Sequence, residues 1–273
     1  MSVEGLTDGA PVVIVTGGGT GIGAAIARHL GRDHRVAICG RRLETLKAIS
    51  DETGALAVAA DMSSEKSIQH FVAQVLAEFG RIDRLVLNAG IVESFSVGDM
   101  PTTAWRAQID VNLNGPFILA RECLPQLIRQ KGAIVSIASV AAQRVGPGLS
   151  AYSASKAGLM LLTQSIAFEN ARFGVRANVV CPGWTRTEMA DREMSALGTG
   201  SIDAGYRKIS RWVPQRRVAE SSEIADVVAW LLSSAASYVN GAVINVDGGE
   251  SMLAASLLEF DEAPPLNKGG SPS

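Results

Sequence analysis

The 273-residue chain has little of what metal and disulfide frameworks are made from, with three cysteines and three histidines. Cys39, Cys123 and Cys181 lie far apart within the apolar segments "VAICG", "RECLP" and "VVCPG". That placement reads as buried, reduced thiols of an intracellular protein and not as a cross-linked scaffold. His29, His34 and His70 lack ligand spacing, so no metal site is expected. Charge of one sign is missing too: the formal net charge is −2 without a basic run, which excludes the footprint of a nucleic-acid binder or a polybasic membrane anchor. No apolar run approaches the roughly 20 residues that span a bilayer, and "MSVEGLTDGAP" lacks the charged-then-apolar order of an export signal. The expected location is the cytoplasm.

What the chain does have is 47% hydrophobic residues, enough for a sizeable core, laid out as short β-branched runs alternating with longer helical patterns. "PVVIVTG", "RVAICG", "ALAVAADM", "DRLVLNAG", "GAIVSIAS", "VRANVVCPG" and "GAVINVDGG" read as seven strands. Between them the pattern predicts helices starting near Gly21, over Leu43–Thr53, Glu65–Phe79 and Thr103–Gln130, from Tyr152 onward, and over "SSEIADVVAWLLS". Strands that are apolar throughout belong to parallel sheets covered on both faces. The expectation is therefore an α/β fold: one doubly wound, Rossmann-type domain over residues 8–252, with a seven-stranded parallel sheet flanked by helices. Residues 184–215 mix polarity, contain glycines and show no clean period, which predicts a closing loop over a substrate. The segment 253–273, ending in "FDEAPPLNKGGSPS", reads as a disordered tail.

"VIVTGGGTGIGAAIARHL" puts Gly17, Gly21 and Gly23 where the first strand passes into the first helix. A phosphate-bearing ligand needs bare backbone there to reach the N–H groups and positive dipole end of the helix. A tight turn, or the loop of an S-adenosylmethionine enzyme, would use glycines in the same place. Farther on, Tyr152 and Lys156 stand four apart at the head of a helix that continues "AGLMLL". Alone, such a pair is more often a snorkelling surface pair than a catalytic one.

Together these motifs carry a resemblance. "TGGGTGIG" (16–23) resembles the cofactor loop of the short-chain dehydrogenase/reductase family, and the likeness extends over roughly residues 10–250. It includes Asp61, "NAG" (88–90), Asn112, Ser139, Tyr152, Lys156, "PG" (182–183) and "DGG" (247–249). The separations of 27, 13 and 4 residues along Asn112, Ser139, Tyr152 and Lys156 match the family's catalytic tetrad. Leu87 departs from the pattern, since many members carry asparagine or cysteine before "NAG".

The resemblance implies an NAD(P)-dependent oxidoreductase that interconverts a secondary alcohol and a carbonyl. Tyr152 would be its acid and base, with its phenol brought down from near 10 by the Lys156 ammonium. Lys156 would also hold the nicotinamide ribose, Ser139 the substrate oxygen, and Asn112 a water-linked proton relay. Cofactor contacts are expected from Gly17, Gly19, Thr20, Gly21, Ile22 and Gly23, from Asp61 (adenine) and Met62, from Asn88, Ala89 and Gly90, and from Pro182, Gly183, Thr185 and Thr187. The end of the second strand, "CGRR", offers Arg41 and Arg42 in place of the carboxylate an NAD site uses, so NADP is favoured over NAD. Glu93, Gln143 and Arg144 stand at the substrate rim without naming the alcohol, and a 3-oxoacyl thioester, a sugar or polyol, or another ketone remains open. Apolar "AGLMLL" exceeds one helical stripe, which with the resemblance implies a homodimer or homotetramer. The alternative is a non-enzymatic dinucleotide-binding sensor or scaffold on the same fold.

Overall fold

A computed structural model describes residues 9–252; the expected tail lies outside the described residues. In chain order the strands are β1 Val12–Thr16, β2 Arg35–Gly40, β3 Leu56–Ala59, β4 Arg84–Leu87, β5 Ala133–Ile137, β6 Arg176–Pro182 and β7 Val243–Val246. The helices are α1 Gly21–Leu30, α2 Leu43–Thr53, α3 Glu65–Phe79, α4 Thr102–Ile109, α5 Gly115–Gln130, α6 Ser150–Asn170, α7 Glu188–Ala196, α8 Ile202–Ser210 and α9 Ser221–Leu232. All seven strands pair in parallel, in the order β3-β2-β1-β4-β5-β6-β7.

Strand alternation explains why there are two cores. Val12 and Ile14 of β1 face one side, where they meet Phe71 and Val75 of α3, Leu119 and Leu127 of α5, and Leu159 of α6. Val13 and Val15 face the other side, against Ile26 and Leu30 of α1, Leu46 of α2 and Val228 of α9. Every residue of β1 is buried, as a central strand covered on both faces must be. Each fully buried aliphatic side chain there contributes about 1.5–3 kcal/mol of transfer free energy. The buried Asp83 accepts from the Val12 amide at 2.8 Å and from Arg81 Nε at 2.9 Å, fixing the start of β1 beside β4.

Because β1 has β2 on one side and β4 on the other, the winding direction reverses between β1 and β4. A crevice opens at their carboxyl ends, where open α/β sheets take their ligands. "TGGG" and "NAG" both sit there.

Two expectations need correction. The helix predicted over Thr103–Gln130 is two helices joined by a π-helical turn at Asp110–Asn114, in which the Gly115 amide reaches back to the Asp110 carbonyl. The reason is a tertiary one: the turn carries Asn112, whose side chain is committed to a neighbouring loop, as described below. The segment 184–215 is not an irregular loop, since it folds largely into α7 and α8. Thr187 and Ser201 cap these helices by accepting from the Ala190 and Ala204 amides. Each helix is short and buries few side chains, among them Met194 and Tyr206, too few to leave a clear period in the sequence.

Candidate active site

Thr16, the last residue of β1, organises the crevice. Its hydroxyl accepts from the amides of Asn88 and Ala89, each at 2.9 Å. Asn88 Nδ2 returns a bond to the Thr16 carbonyl at 2.8 Å. The glycine loop is thereby tied to "NAG", and the packing tolerates no side chain: a Cβ at Gly17 would lie 2.9 Å from Asn88 Nδ2, at a φ of +65° that already favours glycine. Gly23 is tighter still, with Gly17 O at 2.1 Å from a Cβ built there. Thr20 precedes α1 without a side-chain cap, and the first turn holds no acidic residue. The free N–H groups of that turn are therefore open to an anion. A dinucleotide pyrophosphate fits this cradle, and Gly19, Gly21 and Ile22 would be the residues to hold it.

Across the crevice, α6 presents Tyr152, Ser155 and Lys156. Lys156 is 3% exposed, and its Nζ donates to the Ile137 carbonyl at 2.8 Å, at the end of β5. A Cβ at Gly90 would sit 3.3 Å from both Lys156 Nζ and Asn112 Oδ1, so a side chain in "NAG" would crowd the point where these two groups converge. The fully buried Asn112 uses its whole amide: Oδ1 accepts from the Ile91 amide at 2.8 Å, and Nδ2 donates to the Ile91 carbonyl at 2.9 Å and to Ser155 Oγ at 3.0 Å. Ser155 passes the restraint on by donating to the Tyr152 carbonyl at 2.7 Å. The Asn112 side chain thus aligns the first turn of α6.

Ser139 caps a single 3-10 turn, Val140–Ala142, its hydroxyl accepting from the Ala141 amide at 3.1 Å. Its influence on the Tyr152 phenol is to favour the ionised form.

Burial is the largest influence and pushes Tyr152 up to about 12; Ser139 pulls it down, while Glu193 of α7 and Cys181 push it up. Lys156 Nζ donates to the Ile137 carbonyl and stands 5.8 Å from the centre of the Tyr152 ring. Burial instead lowers Lys156 to about 8.

The remaining expected residues divide clearly. Asp61 Oδ1 accepts from the amide and hydroxyl of Ser63, at 2.9 and 2.8 Å, which fixes the turn after β3. Beside it, the buried Met62 leaves no room for a Cβ at Gly115, at the start of α5. Pro182 ends β6, and Gly183 passes so close to the last loop that a Cβ there would meet Asp247 at 2.8 Å. Thr185 is buried and donates to the Gly183 carbonyl at 3.1 Å, and Thr187 packs against Gly21. Arg41 is exposed with no ion-pair partner among the described residues, whereas Arg42 is held by Glu188.

At the rim, Gln143 bonds Asn245 of β7 at 3.0 Å and Arg144 bonds the Glu250 carbonyl at 2.8 Å, so both are engaged with the protein. Glu93 contributes its backbone, which exchanges bonds with Gln108. Sequence reasoning missed Thr16, Ser155 and Glu188. The first opens "TGGGTGIG" and the second lies between Tyr152 and Lys156, but their partners are distant in sequence; Glu188 carried no signal.

Comparison with known proteins agrees with this geometry. A model of the enoyl-(acyl carrier protein) reductase family matches residues 17–251. The chain belongs to the short-chain dehydrogenase/reductase family. It is 38% identical over 256 residues to 2-(R)-hydroxypropyl-CoM dehydrogenase of Xanthobacter autotrophicus, covering 89% of this chain and 99% of that one. Levodione reductase of Leifsonia aquatica is 35% identical over 256 residues, covering 88% and 94%. A crystal structure of a levodione reductase superposes with a TM-score of 0.86, covering 92% of this chain and all of that one. An actinorhodin polyketide ketoreductase with NADPH gives 0.87 at 32% identity, covering 91% and 100%. This short-chain dehydrogenase/reductase is an NAD(P)-dependent enzyme that interconverts alcohols and carbonyls, and a non-enzymatic sensor is not favoured. Among the described residues no helix is long and apolar enough to cross a membrane.

Proposed function

We propose that Tyr152 and Ser139 grip the oxygen of a secondary alcohol or ketone, Tyr152 exchanging the proton while Lys156 and Asn112 hold the catalytic helix in place. The observation that carries this reading is the buried Lys156 Nζ donating to the Ile137 carbonyl at 2.8 Å, which ties the helix that carries Tyr152 to the end of β5, two residues before Ser139. Bound NAD(P)H supplies the hydride. With the phenol at about 12, Tyr152 is protonated at neutral pH and ready to donate as the carbonyl is reduced. Alcohol oxidation needs the phenolate and accelerates as pH rises.

The NADP form is read from Arg41 and Arg42, whose guanidiniums suit a 2′-phosphate. For the substrate, a cyclic or chain ketone agrees with relatives named for levodione and for a polyketide, while a 3-oxoacyl thioester and a polyol remain members of the same class. Leu161 and Phe168 of α6 and Phe117 of α5 are exposed, and an oligomer formed through this face, in the cytoplasm, completes the proposal.

The test is a panel of ketones and alcohols followed by nicotinamide absorbance with both cofactors, repeated with Tyr152→Phe. Turnover on the best substrate should fall by about 10²–10⁴-fold, as on removal of a general acid, with cofactor binding retained. Near-normal turnover in that variant would move the proton source elsewhere.

A further inference from the structure

Glu188 opens α7, the first helix of the segment over the substrate side, yet its carboxylate reaches residue 42, at the cap of α2. Arg42 Nη1 and Nη2 meet Glu188 Oε1 and Oε2 at 3.0 and 2.7 Å, a two-pronged pair across 146 positions of sequence. Arg192, one turn on, adds 2.8 Å to the same Oε1. Next to it, Thr187 rests on the glycine loop, 3.1 Å from where a Gly21 Cβ would be. The start of α7 therefore meets the glycine loop at one point and the cap of α2 at another, the second through an arginine read as a phosphate ligand. Arg41 has no such partner among the described residues. The carboxylate that a 2′-hydroxyl site keeps at the end of β2 is missing there, and one arrives instead from α7.

We propose that Glu188 is an internal competitor for the cofactor's 2′-phosphate: it occupies Arg42, so a 2′-phosphorylated ligand must displace it and unfasten α7, whereas a ligand with a free 2′-hydroxyl leaves the pair closed. The inference rests on the reading that Arg42 faces the 2′ position. Both partners are about half exposed, 51% and 42%, so the pair holds too weakly to bar a dianion outright but strongly enough to tax it. The same guanidinium edge cannot serve both anions at once.

Calorimetry with 2′,5′-ADP and 5′-AMP on the full chain separates the phosphate from the rest of the cofactor. Glu188→Gln should bind 2′,5′-ADP roughly three- to tenfold more tightly, the scale set by an exposed ion pair, and 5′-AMP about as before. In the unsubstituted protein, amide exchange in α7 should rise with 2′,5′-ADP and not with 5′-AMP. If Arg42→Ala weakens 2′,5′-ADP binding but Glu188→Gln leaves it unchanged and α7 exchange does not respond, the competition is overturned and the reading of Arg42 survives. If Arg42→Ala has no effect on 2′,5′-ADP, or neither nucleotide binds, both fall together.

Discussion

Lys156 allows a quantitative test, because the same burial that places it for function should weaken the fold. Its ammonium is almost inaccessible and holds one hydrogen bond to protein, to the Ile137 carbonyl, and burial lowers it from 10.5 to about 8. At about 1.4 kcal/mol per pH unit, that gap means the charged side chain costs the folded state about 3 kcal/mol. The direction with pH follows. Below pH 8 both folded and unfolded chains carry the proton and the full cost applies. Between 8 and 10.5 the unfolded chain binds more protons, so stability rises with pH, and above 10.5 the cost is gone.

Lys156→Met keeps most of the volume and removes the charge, but leaves the Ile137 carbonyl without its donor, for about 1–3 kcal/mol at every pH. Relative to the parent, the variant should be up to about 2 kcal/mol more stable at pH 7 and about 1–3 kcal/mol less stable at pH 10.5. Urea unfolding followed by fluorescence of the four tryptophans, at intervals from pH 7 to 10.5, measures the difference directly. Cys39 and Tyr152, both raised to about 12 by burial, lower stability in alkali in both proteins and cancel in the comparison. A difference that stays constant over this range would show that Lys156 is not held against a desolvation cost, and would undo the argument.

Gly23→Ala should disable the cofactor cradle, since its Cβ would lie 2.1 Å from Gly17 O and 2.6 Å from Asn88 Nδ2. A loss of about 1–3 kcal/mol by thermal unfolding, together with lost cofactor binding, is expected for such overpacking. Gly98→Ala, with nothing within 4 Å, is the control and should stay within about 0.5 kcal/mol. A Gly23→Ala protein that binds NADPH normally would mean that the loop relaxes. Light scattering at micromolar concentration should give at least a dimer mass, given Phe168 at 87% and Leu161 at 59% exposure on one helix; a monomer would leave those side chains unexplained.

Much of the site was legible because its geometry is local. Gly17, Gly21 and Gly23 lie on one strand-to-helix turn, and Tyr152 and Lys156 on one face of α6, so spacing alone brings them together. The relation between them is not local. Ser155 joins Asn112 to the Tyr152 backbone across 43 positions, and Thr16 joins the glycine loop to "NAG" across 72. A hydroxyl in either place looks like any other until its partner is known.

The alternation of apolar runs and the positions of glycine by themselves determined a parallel sheet covered on both faces and a phosphate cradle at the end of its first strand, since each follows from a periodicity of 2 or 3.6 and from one turn. Only the tertiary structure decided how the charges are spent. Burial pushed the Tyr152 phenol up and the Lys156 ammonium down, and Glu188, brought over by α7, claimed an arginine that looked free for a ligand. Ionisation and competition depend on what lies within a few ångströms through space, and the linear order of residues does not contain that distance.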